Sequence, residues 1–129
     1  MFDRIELISM SRAMTDHAAQ RQTVVARNIA NADTPGYLAR DLAPFAASYR
    51  AVTAGPLRGT NPRHLTDPFT GAAIARTVAD EGEISPNGNS VSLEAEMVKT
   101  AELRSEYDMS LGVYRSALDM LRTSIGRRG

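Results

Sequence analysis

Apolar side chains near the start of the chain recur at Leu7, Met10, Met14 and Val24, with Ile8, Val25 and Ile29 beside them. Steps of three and four are the period of a helix with one buried face. No proline or glycine interrupts residues 1–34, so the pattern predicts a helix from about Asp3 to about Ala32. Its centre, TDHAAQRQT (Thr15 to Thr23), carries no large apolar side chain. Alone in water such a helix is marginal, because tertiary packing supplies most helix stability.

The last third shows a stronger pattern. Tyr107, Leu111, Tyr114, Leu118, Leu121 and Ile125 follow alternating steps of four and three, and Met97 lies in register ten residues earlier. This is a heptad seam, the mark of a helix with a helical partner. Ser92 suits the cap position at the start. Glu94 and Glu96 then stand at the positive end of the helix dipole, and Arg127 and Arg128 near the negative end. Arg115 and Arg122 flank Asp119 within a turn, a solvated or interface face. Gly112 costs about 1 kcal/mol relative to alanine at a mid-helix position.

Between these segments the composition changes. Five prolines and five glycines fall between Ala43 and Gly88, and AGPLRGTNPRHLTDP resists both helix and central strand. AAIARTVA has room for one short strand, and SPNGN at Ser85 to Asn89 is a turn signal. The expected architecture is mainly α. Long N- and C-terminal helices pack as an antiparallel, coiled-coil-like hairpin, joined by a Pro/Gly-rich region with at most a short β-hairpin. A single domain spans 1–129: helix 1–33, turn and extended region 34–90, helix 91–127. At 1.5 Å per residue the helices are roughly 45 and 50 Å long, rod dimensions that leave much of the seam unburied in a monomer.

Composition narrows the chemistry. Fifteen basic and fifteen acidic residues balance, so no global field favours nucleic acid or an anionic membrane. All basic residues but Lys99 are arginine, aromatic content is 5%, and the six methionines fit adaptable helix packing. Without cysteine there is no disulfide framework or zinc–thiolate site. Asp3, Arg4 and Glu6 stand where a signal peptide needs an apolar run, and no stretch has the roughly twenty apolar residues that span a bilayer. The expectation is a soluble chain without a cleaved signal and without direct membrane insertion. His17 and His64 lie on a helix and in a loop, and Asp16 diverges from His17 around the helix, so no acid–base or metal site forms between them. With no phosphate loop, nucleophile elbow or metal-binding helix motif, the reading is no enzyme, no cofactor and no metal.

RNIANADTPGYLARDL (Arg27 to Leu42) is the most specific string. Thr34-Pro35-Gly36-Tyr37 suits a type II turn, with proline fixing φ at the second position and glycine taking positive φ at the third. Asn28 and Asn31 share a helix face, placed to satisfy carbonyls at the helix end or to reach a neighbouring chain. A helix stop needs only a glycine, so the full string asks for more than a stop.

NIANADTPGY (Asn28 to Tyr37) resembles the signature of the bacterial flagellar axial proteins, which build the rod and hook. Ala39-Arg40-Asp41-Leu42 resembles the proximal-rod members of that family. Gly88-Asn89, Val91, Leu93-Glu94, Glu96-Met97-Val98, Glu102 and Tyr107 match their C-terminal helix, and His64-Leu65 a pair in their middle region. The likeness spans nearly the whole chain. It departs at Leu38 (lysine common), Ser92 (aspartate usual) and Leu103 (asparagine frequent), and no interface role is carried over for Leu103. The resemblance implies a structural subunit exported through the flagellar type III apparatus and polymerising into the hollow periplasmic rod that transmits torque. It implies contacts with other copies, with other rod proteins and with the basal-body component joining rod to export gate. The residues assigned to assembly are Leu7, Met10, Met14, Val24, Asn28, Asn31, Thr34, Pro35, Gly36, Tyr37, Met97, Tyr107, Leu111, Tyr114, Leu118, Leu121 and Ile125. A helical-hairpin adaptor outside the rod is the alternative. A membrane-surface helix ranks last, because acidic residues stand among the arginines of the N-terminal helix.

Overall fold

The computed structural model describes residues 2–53, 77–80 and 82–126. The order of elements is helix α1 (Phe2–Ala30), strand β1 (Arg40–Leu42), helix α2 (Phe45–Thr53), strand β2 (Thr77–Ala79) and helix α3 (Leu93–Gly126). α1 and α3 form the expected antiparallel pair, 29 and 34 residues long. Ser92 caps α3, its hydroxyl accepting from the Ala95 N–H at 3.4 Å while its carbonyl takes the Glu96 N–H at 3.0 Å.

The helices meet along a heptad other than the apolar one. On α3 the buried positions are Glu96, Leu103, Ser110 and Ala117, seven apart. On α1, Ser11, Ala18 and Val25 repeat at the same interval, and the buried Asn28 follows. Ala18, Val25 and Leu103 form the hydrophobic core. Beyond them the faces are joined by small polar groups, and Thr15 Oγ1 bonds Ser110 Oγ at 2.9 Å. Small side chains let two helix backbones approach closely, so little volume is enclosed between them.

Of the sequence expectations, α2 was not foreseen in a region read as loop. Ten residues without proline or glycine follow Pro44, whose carbonyl accepts the N–H groups of Ala47 and Ser48 at 3.0 and 3.1 Å. Phe45 anchors the start of α2, 5.6 Å edge-on from the His17 ring. His17 is buried and its Nε2 bonds the Ala43 carbonyl at 2.8 Å, a structural role on α1. β1 and β2 pair antiparallel in the register Arg40–Ala79, Asp41–Val78, Leu42–Thr77, so AAIARTVA supplies a strand over its last three residues. His64 lies outside the described residues, as do Arg127 and Arg128.

Candidate assembly site

Two features converge at the end of the hairpin where α1 stops and α3 begins, and a third runs away from it along α3. The first answers what RNIANADTPGYLARDL is for. The Tyr37 N–H donates to the Thr34 carbonyl at 3.2 Å, and Gly36 has φ +72°, as the type II reading requires. A second turn faces it. Gly88 N–H donates to the Ser85 carbonyl at 2.8 Å with Gly88 at φ +83°, and Ser85 N–H donates to the Asn89 carbonyl at 2.8 Å. The two turns touch backbone to backbone. Gly36 N–H donates to the Asn87 carbonyl at 3.1 Å, and a Cβ on Gly88 would sit 3.3 Å from the Gly36 Cα.

Asn89 completes the clasp. Buried at 2% exposure, its amide nitrogen lies 2.9, 2.8 and 2.8 Å from the carbonyls of Asn31, Ala32 and Thr34. These are carbonyls of the turn that follows α1, which ends at Ala30. Its Oδ1 accepts from the Val91 N–H at 2.7 Å. Ser90 continues the seam, donating N–H to the Tyr37 carbonyl at 3.0 Å and accepting from Ala39 N–H at 2.8 Å. The helix-ending string is thus read by the SPNGNS segment of the same chain.

The second feature is a polar cluster joining both helices to the sheet. Asn28, fully buried, donates to the Arg40 carbonyl at 2.7 Å and to Glu96 Oε2 at 3.1 Å, and accepts from Arg40 N–H and the Tyr37 hydroxyl. Arg21 grips Asp41 with two parallel bonds, Nε–Oδ1 at 2.8 Å and Nη2–Oδ2 at 3.0 Å, the strong fork geometry. Lys99 stands among three carboxylates: Glu96 at 2.9 Å, Asp41 at 3.8 Å, and Asp80, to which it is directly hydrogen-bonded. Glu96, only 1% exposed, has both oxygens engaged.

Burial pushes the Asp41 carboxyl up, but the Arg21 guanidinium, the Leu42 N–H and the charges of Arg21 and Lys99 outweigh it and hold the group below its ordinary range. Burial likewise lowers Lys99, and its bonds to Asp80 and Glu96 more than reverse this, raising it. The bond to Asp41 raises Arg21 against the effect of burial. Asp41, Lys99, Asp80, Glu96 and Asn89 were not singled out as a site from the sequence. The one available signal was that the chain's single lysine sits three residues after Glu96.

The third feature is the apolar stripe on α3. Leu111, Tyr114, Leu118 and Leu121 are half-buried, and Met97, Tyr107 and Ile125 are exposed. At 100° per residue the stripe from Tyr107 to Ile125 lies about 70° around the helix from the inward line of Leu103, Ser110 and Ala117. Lys99 and Glu106, which bond toward the sheet side, lie about 60° the other way. Among the described elements α3 packs on α1 alone, so the stripe flanks the hairpin on the side away from the sheet. On α1, Leu7, Met10, Met14 and Val24 are likewise half-buried beside the inward line. The structure therefore brings Asn28, Asn31 and the Thr34–Tyr37 turn together at one end, with Asn31 Nδ2 bonding the Arg27 carbonyl at 2.7 Å. The long apolar stripe runs away from them along α3.

Against this geometry stand the similarities to known proteins. The family described as flagella basal body rod protein matches residues 8–37, the bulk of α1 and its turn. The flagellar basal body rod protein FlgB of Agrobacterium fabrum is 36% identical over 128 residues, covering 95% of each chain. This chain belongs to the FlgB family of flagellar basal body rod proteins. The FlgB of Salmonella typhimurium is 33% identical, covering 92% of each chain, and that of Escherichia coli 37% identical over 106 residues. As a FlgB-family member the chain is a structural component of the basal body rod, not an enzyme, and it assembles with other rod components. No helix among the described residues is long and apolar enough to cross a membrane. In this chain the clasp and cluster bond the ends of the helix pair to the turns and the sheet, and the stripe is left half-buried to exposed.

Proposed function

We propose that this chain polymerises into the proximal, periplasmic part of the rod, and that the Tyr107–Ile125 stripe of α3 is the surface that enters contact with neighbouring subunits. The observation that carries this reading is the stripe itself. Six apolar side chains at heptad steps span about 27 Å, and no described element other than α1 packs on that helix. Leu7, Met10, Met14 and Val24 extend the same use to the flanks of α1. Asn28, Asn31 and the Thr34–Tyr37 turn act indirectly, by fixing the angle at which the helices present these faces. On this reading the partners are further copies, other rod proteins and the basal-body component that joins rod to export gate, reached after passage through the type III export apparatus. The assembled subunits enclose the channel and transmit torque.

The test replaces Leu118 with Asp. Leu118 is half-buried on the stripe, so the hairpin should keep its helical circular dichroism while the subunit disappears from purified basal bodies and swimming is lost. A strain with this variant that swims normally and keeps the protein in its rods removes the stripe from the set of contacts. Complete rods in a strain lacking the chain altogether would instead favour an adaptor role outside the rod.

A further inference from the structure

Asn87-Gly88 is the single Asn-Gly step in the chain, and it lies at the tip of the second turn, with Asn87 exposed and Gly88 half-buried. Glycine offers no side chain to obstruct attack of its own backbone nitrogen on the preceding asparagine amide. The fold restrains both reacting groups. The Gly88 nitrogen is tied by its N–H to the Ser85 carbonyl at 2.8 Å, and the Asn87 Oδ1 is held by the Asn89 N–H at 3.1 Å. Asn28 and Asn89 are buried with their amides fully engaged, and Asn31 is followed by alanine, whose methyl crowds ring closure.

We propose that Asn87 is a conditional deamidation site, shielded while the two-turn clasp is closed and reactive when it opens. The Gly88 backbone nitrogen attacks the Asn87 side-chain carbonyl carbon, losing its proton to solvent. A carbon–nitrogen bond forms, the carbon–NH2 bond breaks, and ammonia leaves. Water then opens the resulting five-membered imide at either carbonyl, giving aspartate or isoaspartate. Isoaspartate adds one atom to the main chain between the Asn87 Cα and Gly88. That step cannot be reversed by refolding. The Asn87 carbonyl that receives the Gly36 N–H is displaced, and the backbone approach of Gly88 to Gly36 is lost. A chain left open therefore forfeits the clasp, whereas one that closes early keeps it.

The experiment incubates the full chain, folded and in urea, at mildly alkaline pH, and follows residue 87 by peptide-mapping mass spectrometry with isoaspartate detection. Conversion should be at least about tenfold slower in the folded chain, the factor that an opening free energy of about 1.4 kcal/mol imposes. Asn89→Ala, which loosens the clasp without touching the reacting atoms, should convert at an intermediate rate. Equal rates folded and unfolded, or no conversion in urea, would overturn the proposal. Asn87→Asp separates charge from chain lengthening: it should retain a slowly exchanging Gly36 amide, and the isoaspartate form should not. If the isoaspartate form retains it as well, the main-chain argument is wrong.

Discussion

Removing the Lys99 ammonium is the perturbation that most directly weighs the polar cluster. In Lys99→Met the apolar stem is preserved and the charge is lost, leaving Glu96 buried beside Asp80 and Asp41 with Arg21 as the remaining cation. Breaking a fully buried ion pair by deleting one partner costs about 3–5 kcal/mol. Here Lys99 is 15% exposed and Asp80 32%, so part of the released charge is hydrated, and about 2–3 kcal/mol is expected. Scaling the usual unfolding entropy per residue to this chain gives about 4 °C per kcal/mol, hence a fall in Tm of about 8–12 °C.

Adding Glu96→Gln removes the stranded buried charge while keeping a side chain able to meet Asn28. The double variant should recover about half of the loss, because Asp80 can turn to solvent and Asp41 keeps its fork with Arg21. Urea unfolding of wild type, both single variants and the double variant closes the cycle. A loss below about 0.5 kcal/mol, or a double variant no better than Lys99→Met, would refute the claim that Lys99 neutralises Glu96.

Asn89→Ala should cost about 3 kcal/mol by thermal or urea unfolding, since two N–H donors and one acceptor are lost at about 1 kcal/mol each; a loss under about 1 kcal/mol would mean water replaces the amide. Gly88→Ala should destabilise more than Gly36→Ala. Both need positive φ, costing about 1–2 kcal/mol, but only the Gly88 Cβ meets backbone, at 3.3 Å, while Gly36 has open space; equal Tm values would show that the turns do not press together. Asp41, held below its ordinary 3.8, contributes stability that is present above that value and lost as pH falls through its lower folded value. Lys99, raised above 10.5, contributes stability that is complete below that value and lost as pH rises through its higher folded value. Asp41→Asn should reduce the acid-side slope, measured as unfolding free energy against pH.

Both long helices, the type II turn and the SPNGN turn were legible, because each rests on local rules: uninterrupted helical period, a cap, and glycine at positive φ. The inward face of the helices was not legible. Hydrophobicity points to Tyr107, Leu111 and Leu118, yet the positions that pack inside are Ser110, Ala117, Ser11 and Ala18, chosen for small volume rather than apolar area. Glu96 reads from sequence as a helix-dipole carboxylate, and its burial depends on Asn28 and Lys99, partners at positions no local pattern connects. Leu103, set aside as a departure from the family pattern, became a core residue because the inward line passes through it. α2 escaped notice because nine residues give too few periods to count.

The register of β1 with β2 has a consequence for how this architecture grows. Leu42 and Thr77 are cross-strand partners, so the chain departs from and returns to neighbouring points, and residues 43–76 form an excursion whose ends the sheet already holds together. Extra sequence placed within that excursion leaves the helix pair, the clasp and the α3 stripe where they are. Each doubling of the excursion's length adds only about 0.6 kcal/mol of closure entropy. The small sheet thus fixes the ends of this excursion whatever its length.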